Sequence, residues 1–572
     1  MTAVLAVIGA GPRGTGLLER LAANASLLPS GCEIHVIDPH PAGAGRVWRP
    51  DQSPLMLMNS RAADVTMFTD DSVRCTGPIT PGPTLAEWSG LSPDAFPTRR
   101  QGGAYLRWCF DRAVRALPSH ASVVVHRTSA VALSDGPRQT VALADGTRVV
   151  ADVVVLAQGN VGGHRTPEQQ AHEDFAARTG GTYLPPSCPG DEDLDRLPAS
   201  EPVLVSGMGL AFVDLAVLLT EGRGGRFTRD RDGALTYRPS GREPVLHAGS
   251  RRGVPYLPKP LLPPLADPAP RFFTPELLDR ATTPGELVGA ACRELVWAHY
   301  RELFATHASR TRMPWDAFAA EFAAVPVTAP AFADLVTAAV PDPADHAAMG
   351  FLRSPLDRSF DGQPALNSWM CTHIGRAVAR ATDPRHSAHA AVLHGLLTVS
   401  ETLEGLRTPN PAAARASRVL STFAAYLGSG PPPHRLEQLQ ALTQAGVLHF
   451  LGAGLRVEHS GDFFSAHTAS LPSPVTARHF VEARLPDPDA RMHPLLTPLA
   501  HNRTRVPVDP DTFQVLGQEG DAHPHRLALG LFAGGGALGA FSRPGRNAPF
   551  FRQNDDTARR VLTELSSPAG TR

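Results

Sequence analysis

Lysine is almost missing from this chain: of its 54 basic residues 53 are arginine, and Lys259 is the one lysine. Ala, Gly, Pro and Arg are all abundant, so codon bias in a GC-rich genome accounts for the imbalance as a whole, while the position of the retained lysine is a separate matter. An excess of charge is missing too. With 55 acidic residues the formal net charge is −1, which argues against a nucleic acid or an acidic membrane as partner, since either calls for a strongly basic face. Cysteines are few and scattered, and Cys32, Cys75, Cys109, Cys188, Cys292 and Cys371 are nowhere closer than 34 positions. That excludes CxxC metal knuckles and redox pairs, leaves no metal site to assign, and suits reduced thiols in the cytoplasm. No apolar run reaches the roughly 18 residues that span a membrane. The apolar start of the chain lacks a basic flank and runs straight into glycines, so it reads as a strand and not as a signal peptide.

At roughly 100–200 residues per domain, 572 residues predict two or three domains. The uncharged run 3–10 and the aliphatic stretch that follows Asp152, through 157, have the composition of buried parallel strands, and 33–38 reads as a second strand. Residues 121–126 and 141–143 alternate like a small meander, with a turn signal at Asp145-Gly146. Residues 166–200 are polar and proline-rich, as in a hinge, and a second strand–glycine–helix unit starts at Pro202. The stretch 275–350 turns rich in Ala, Leu and Phe at helical spacing. More helices are expected over 385–450, strands return at 447–457 and 479–483, and a closing helix is expected from Pro549 to Leu565.

The first glycine loop, Val7 to Gly14, reads G-x-G-x-x-G between a strand and a helix, with Pro12 and Arg13 inside it. Gly9 makes the tight turn, Gly11 lets the backbone approach a pyrophosphate, and Gly14 lets the helix close on the strand. Asp38 ends the second strand and suits an adenosine ribose, which disfavours a 2′-phosphate, so this module fits FAD or NAD. The glycine-rich loop after it, through Arg46 to Trp48, is similar to loops that wrap the flavin in two-dinucleotide flavoproteins. Gln158-Gly159-Asn160 resembles the A-T-G turn that closes over FAD there, with Gln158 in place of the threonine.

In the second loop, Gly207 and Gly209 keep the pattern and Phe212 replaces the third glycine. The following strand ends in Ser250-Arg251-Arg252 with no acid. A hydroxyl and two guanidiniums are what a 2′-phosphate needs, so this module reads as an NADPH site. A solvated basic turn is the plain alternative. Seven residues on, Lys259 is placed to reach phosphate as a point charge, or is an ordinary exposed residue.

Blocks spread over almost the whole chain carry a family resemblance. They include 7–16, 55–61, 65–68, 103–108, 207–214, 219–225, 247–256, 432–446 and 527–556. In these the chain resembles the bacterial FAD–NAD(P)-binding protein family, related to flavin-dependent N-hydroxylating and Baeyer–Villiger-type monooxygenases. The resemblance implies an α/β flavoprotein with two dinucleotide-binding, Rossmann-like modules and a helical insertion. An FAD-binding domain is expected over 1–165 and 500–572, an NADPH-binding domain over 200–265 and 351–499, and the insertion over 275–350. It also implies that Gly536 and Asn547 contact the flavin, and that Asn59, Arg61 and Met67 lie near flavin or substrate. The F-x-G-x-x-x-H-x-x-x-W signature of Baeyer–Villiger enzymes is missing; Gly162 to His164 is a faint echo. The expected activity is an FAD- and NADPH-dependent monooxygenase of specialised metabolism, in which oxygen adds to reduced flavin and the peroxyflavin oxidises a small amine or amino acid, N-hydroxylation of aspartate being the leading case. Its partners are then a small molecule and molecular oxygen. No catalytic base is picked out. A reductase that passes hydride on without oxygen, and a non-catalytic flavin-bound interaction protein, are the rival readings.

Overall fold

The computed structural model describes residues 2–159, 165–262, 270–347, 355–404, 410–534 and 539–566. They divide into two compact units, Met1–Thr166 with Pro486–Arg572, and Pro167–Leu485.

The first unit starts with β1 (Ala3–Ile8), buried along its whole length as its uncharged sequence requires. Helix α1 (Pro12–Ala23) follows, opened by a proline whose missing N–H costs nothing at that position. Leu17, Leu18 and Leu21 form its fully buried face. Next come β2 (Cys32–Ile37), α2 (Arg99–Ala116), β3 (Ala121–His126) and β4 (Val153–Leu156). Thr98 and Gln101 close a reciprocal capping box on α2. Strand β1 pairs in parallel with β2 on one side and β4 on the other. Of the expected meander, 141–143 lies in a separate antiparallel sheet of Ala130–Ser134, Gln139–Leu143 and Arg148–Ala151, whereas 121–126 is β3, paired in parallel with β2.

In the second unit the expected hinge is instead ordered structure: a helix over Pro167–Thr179 and then β5 (Thr182–Leu184). Its polar helix face and proline-rich remainder masked a buried three-residue strand. Strand β6 (Pro202–Ser206), helix α3 (Leu210–Leu219) and β7 (Val245–Ser250) form the glycine-loop module. Helices Pro275–Arg280, α4 (Pro284–Thr306), Trp315–Ala324 and Pro330–Ala339 follow. Helical structure then continues through α5 (Gln363–Thr382), α6 (Ser387–Glu404), α7 (Pro411–Gly428) and α8 (Pro433–Gln444). Strands β8 (Leu448–Ala453) and β9 (His479–Glu482) complete an all-parallel sheet in the order β8-β7-β6-β9-β5. One core runs from this sheet into the helices, joining Val203, Val205 and Leu246 to Leu295, Ile374 and Leu439. A second, aromatic cluster packs Trp297, Tyr300, Phe318 and Phe322 among the helices.

The chain then returns to the first unit with β10 (Gln514–Leu516), β11 (Ala522–Ala528) and α9 (Pro549–Ser566). Strand β11 adds in parallel to β4, and the sheet order is β10-β11-β4-β1-β2-β3. Helix α9 packs on α1, where a Cβ on Gly16 would lie 2.3 Å from the Asn554 amide and 2.9 Å from the Phe550 ring. Beside that contact Arg20 and Asp555 form a buried ion pair, with Asn24 and the Gly77 N–H also donating to Asp555. Among the described residues no helix is long and apolar enough to cross a membrane.

Candidate functional site

The first glycine loop is a backbone cradle. Gly9 has φ +108°, and a Cβ there would lie 2.7 Å from the Ala157 carbonyl oxygen and 2.9 Å from the Gln158 nitrogen. A Cβ on Gly14 would lie 2.1 Å from the Gly9 oxygen, so the turn and α1 meet without room for a methyl. From the other sides come Gly45, whose Cβ would lie 3.0 Å from Gly11 Cα, and Gly530, whose Cβ would lie 3.4 Å from the Gln158 oxygen. Gly11 is the N-cap of α1 and no side chain caps that end, which leaves the positive pole of the helix for an anion. Pro12 is the first helical residue.

Asp38 stands at the end of β2. Its Oδ2 accepts from the Ala10 N–H and its Oδ1 from the His40 N–H, both at 2.8 Å, so it splints the glycine loop and keeps lone pairs for a further donor. Burial raises its pKa, against those two bonds. Arg13 turns away from the loop: its guanidinium lies 5.1 Å from the Phe550 ring centre and 3.5 Å from the Asn554 oxygen on α9. Arg46 gives its carbonyl to the Arg49 guanidinium at 2.8 Å. The half-buried Trp48 ring lies 5.8 Å from Phe541, and its backbone is pressed onto α2 where a Cβ on Gly103 would lie 1.8 Å from the Trp48 oxygen. Gln158 and Gly159 follow β4 beside the Gly9 turn, Gln158 half-buried and Gly159 exposed. Asn160, Gly162 to His164 and Gly536 lie outside the described residues.

The residues expected near flavin or substrate do not share one environment. Arg61 is held by Asp64 through two bonds of 3.0 and 3.2 Å and by Asp94 at 3.0 Å. Met67 is 1% exposed and packs in a core with Met58, Phe68, Tyr105 and Leu106. Asn59 is half-buried, and its side chain makes no hydrogen bond among the described residues. Asn547 Oδ1 accepts from the Arg74 N–H at 2.8 Å, tying the C-terminal loop to residues 70–75, and Thr66 and Ser542 exchange two backbone bonds close by.

Gln52 was not singled out from the sequence. It is 4% exposed, and neither its Oε1 nor its Nε2 has a hydrogen-bond partner among the described residues. A buried carboxamide left unpaired costs on the order of 1–3 kcal/mol, so the position calls for a polar group that the described residues do not supply. The only sequence signal for it is a glutamine four residues past Trp48. Together, the glycine cradle, the uncapped α1 terminus, Asp38 and this orphaned amide fit a bound dinucleotide.

The second loop is built the same way. Gly207 has φ +119° and a Cβ there would lie 2.6 Å from the Ala483 oxygen, while Gly209 is the N-cap of α3 with no side-chain cap. The Tyr256 ring lies 3.2 Å from where a Cβ on Gly209 would stand. Phe212, in place of the third glycine, is fully buried in the sheet core. At the end of β7, Ser250 Oγ accepts from the Gly253 N–H at 2.9 Å, Arg251 is exposed, and the Arg252 guanidinium lies 4.4 Å over the Tyr426 ring. Lys259 donates from Nζ to the Gly428 carbonyl at the C-terminus of α7, where the helix dipole favours a cation. Among the described residues no three His, Cys, Asp or Glu side chains are grouped as metal ligands.

The family profile described as FAD–NAD(P)-binding matches residues 6–161. An L-aspartate N-monooxygenase (nitrosuccinate-forming) of Streptomyces davaonensis is 35% identical over 97% of this chain and 96% of its own length. A nitrosuccinic acid synthase of Aspergillus oryzae is 33% identical over 98% of this chain and 93% of its own length. Another L-aspartate N-monooxygenase (nitrosuccinate-forming), from Streptomyces cremeus, is 35% identical over 98% of this chain and 95% of its own.

Proposed function

The chain belongs to the FAD–NAD(P)-binding family that contains these N-monooxygenases, and from that premise we propose that it is an FAD- and NADPH-dependent monooxygenase that oxidises the amino nitrogen of L-aspartate. The observation that carries the reading is likeness along the full length of both chains, 35% identity over 97% of one and 96% of the other. Such coverage spans both glycine-loop modules and the helices, not a cofactor domain alone. The reductase and interaction-protein readings have no comparable support.

When bound, reduced FAD supplies the electrons and activates oxygen, and NADPH supplies the hydride. The chain's own residues bind and orient. Gly9, Gly11, Pro12 and Gly14 receive the FAD pyrophosphate at the α1 terminus, and Asp38 accepts from the adenosine ribose. Arg13 holds α9 against α1, while Arg46, Trp48, Gln158, Gly159, Gly536 and Asn547 shape the flavin side. Gln52 is the buried donor and acceptor that the ring or the substrate satisfies. Gly207 and Gly209 receive the NADPH pyrophosphate, and Ser250, Arg251, Arg252 and Lys259 select the 2′-phosphate. Asn59, with its free amide, and Arg61 are the polar candidates for the substrate, and Met67 backs them from the core. Arg61 is already paired with two carboxylates, so it binds a third only by exchanging one. Six free cysteines suit a reducing compartment, and the cytoplasm is the proposed location.

Each N-hydroxylation consumes one NADPH and one O2 and releases water. The test is NADPH consumption by FAD-loaded protein with and without L-aspartate. Aspartate is expected to raise the rate and to yield a product heavier by one oxygen at the first step. NADPH turnover that ignores aspartate and continues without oxygen would sink the reading in favour of the reductase.

A further inference from the structure

Helix α5 carries Trp369, His373, Arg376 and Arg380 at steps of four, three and four residues, which sets them in one row. The row lines a cavity of about 730 Å3, walled elsewhere by Leu257, Leu393 and Leu427 and reached by Arg358. That size falls in the range of roughly 300–1,000 Å3 over which pockets enclose small ligands. The Trp369 and His373 rings stack at 5.1 Å and 17°, a flat aromatic platform.

Among the described residues the cavity's positive charge has no carboxylate paired with it. Burial, with Arg380 and Arg376 adding to it, lowers the His373 pKa to about 4, so that imidazole is neutral. Burial likewise takes His389, on the opposite wall, to about 2. Arg376 stands one helical turn from Arg380, where like charges repel. Among the described residues no carboxylate pairs with Arg358, Arg376 or Arg380. Asp383, three residues past Arg380, is taken by Arg385 at 2.5 Å, and Asp357 is an exposed wall residue. The cavity also adjoins the end of β7, because Tyr426 lies under the Arg252 guanidinium and feels the charge of both Arg252 and Arg380.

We propose that this cavity binds a nucleotide, with the aromatic base against the Trp369–His373 platform and the apolar wall, and a phosphate held among Arg376, Arg380 and Arg358. Planar guanidiniums take phosphate oxygens in pairs, and the base fills volume that a bare phosphate leaves empty. The NADPH 2′-phosphate is placed at the end of β7 instead, so the occupant of this cavity is a free nucleotide acting as an effector. The inference concerns binding alone and stands apart from which substrate is oxygenated.

The test is titration calorimetry of FAD-loaded full-length protein with 2′,5′-ADP and with 5′-AMP, without substrate or turnover. Wild type is compared with the double variant Arg376→Ala/Arg380→Ala and with Thr372→Trp, which narrows the cavity from an exposed wall position and keeps every arginine. At least one nucleotide is expected to bind the wild type, and both variants to weaken it tenfold or more at unchanged melting temperature and flavin content. If the double variant melts early, Thr372→Trp decides. Binding that persists in saturating NADP+ upholds the free nucleotide, and displacement by NADP+ overturns it. It is overturned as well if neither nucleotide binds the wild type, or if a correctly folded variant binds as the wild type does.

Discussion

The glycines are where single residues decide most. Gly9→Ala puts a methyl 2.7 Å from a carbonyl oxygen at a φ that side chains avoid, so the variant is expected to purify without flavin. Gly103→Ala drives a methyl into the Trp48 carbonyl 1.8 Å away and is expected to cost about 3 kcal/mol, read from denaturant unfolding. These positions are legible in sequence because the backbone constraint is written in the residue type itself. Arg61 is not: its partners Asp64 and Asp94 are assembled by folding, and an arginine among 53 gives no sign of being paired. Glu19 was equally silent. Burial, opposed by Arg20, raises its pKa from 4.5 to about 7, so between those values the folded chain holds a proton that the unfolded chain releases. Stability is therefore highest below the lower value, falls as pH rises through the window and levels off above it, by on the order of 3 kcal/mol in all. Glu19→Gln is expected to match wild type in acid and to melt later than wild type above pH 7.

At the scale of elements, α7 shows how both ends of one helix are fixed by distant residues. Asn410 accepts from the Ala412 and Ala413 N–H groups, and its amide donates to the Leu278 and Ala281 carbonyls. Asn410→Ala is expected to cost about 1–2 kcal/mol, checked by urea unfolding. At the other end Lys259→Ala removes a cation from the terminus and is expected to cost about 0.3–1 kcal/mol. If Lys259 also meets the 2′-phosphate, KM rises for NADPH and not for NADH; a role at the helix end alone leaves both unchanged. Strands β1 and β4 could be read directly because buried parallel strands are apolar throughout. Strand β11 could not, because it opens with Ala522 and then His-Pro-His-Arg, and Arg526 is held by Asp135 and Gln139 from the neighbouring meander. The edge strand β5 is too short to leave a period.

Over the whole molecule, two units each carry a largely parallel sheet with a glycine loop at a helix start, and the proposed function assigns each loop a different cofactor. Hydrogen exchange is expected to show FAD protecting 9–14, 36–46 and 156–159, and NADP+ protecting 206–212 and 250–254, with little crossover. Protection of only one set by both ligands would refute the assignment. The first unit is also split in sequence, since β11 joins the sheet that β1 begins at Ala3 and α9 packs on α1, while 167–485 fold between them. On a ribosome moving at about 5–20 residues per second, β1 to β4 wait for β11 on the order of a minute or less, with an unpaired edge along β4. Flavin capture thus comes late in the life of the chain, after the second unit has had time to form. Nascent chains stalled before residue 522 should hold no FAD, which makes the yellow colour of the finished protein a report that synthesis has passed β11.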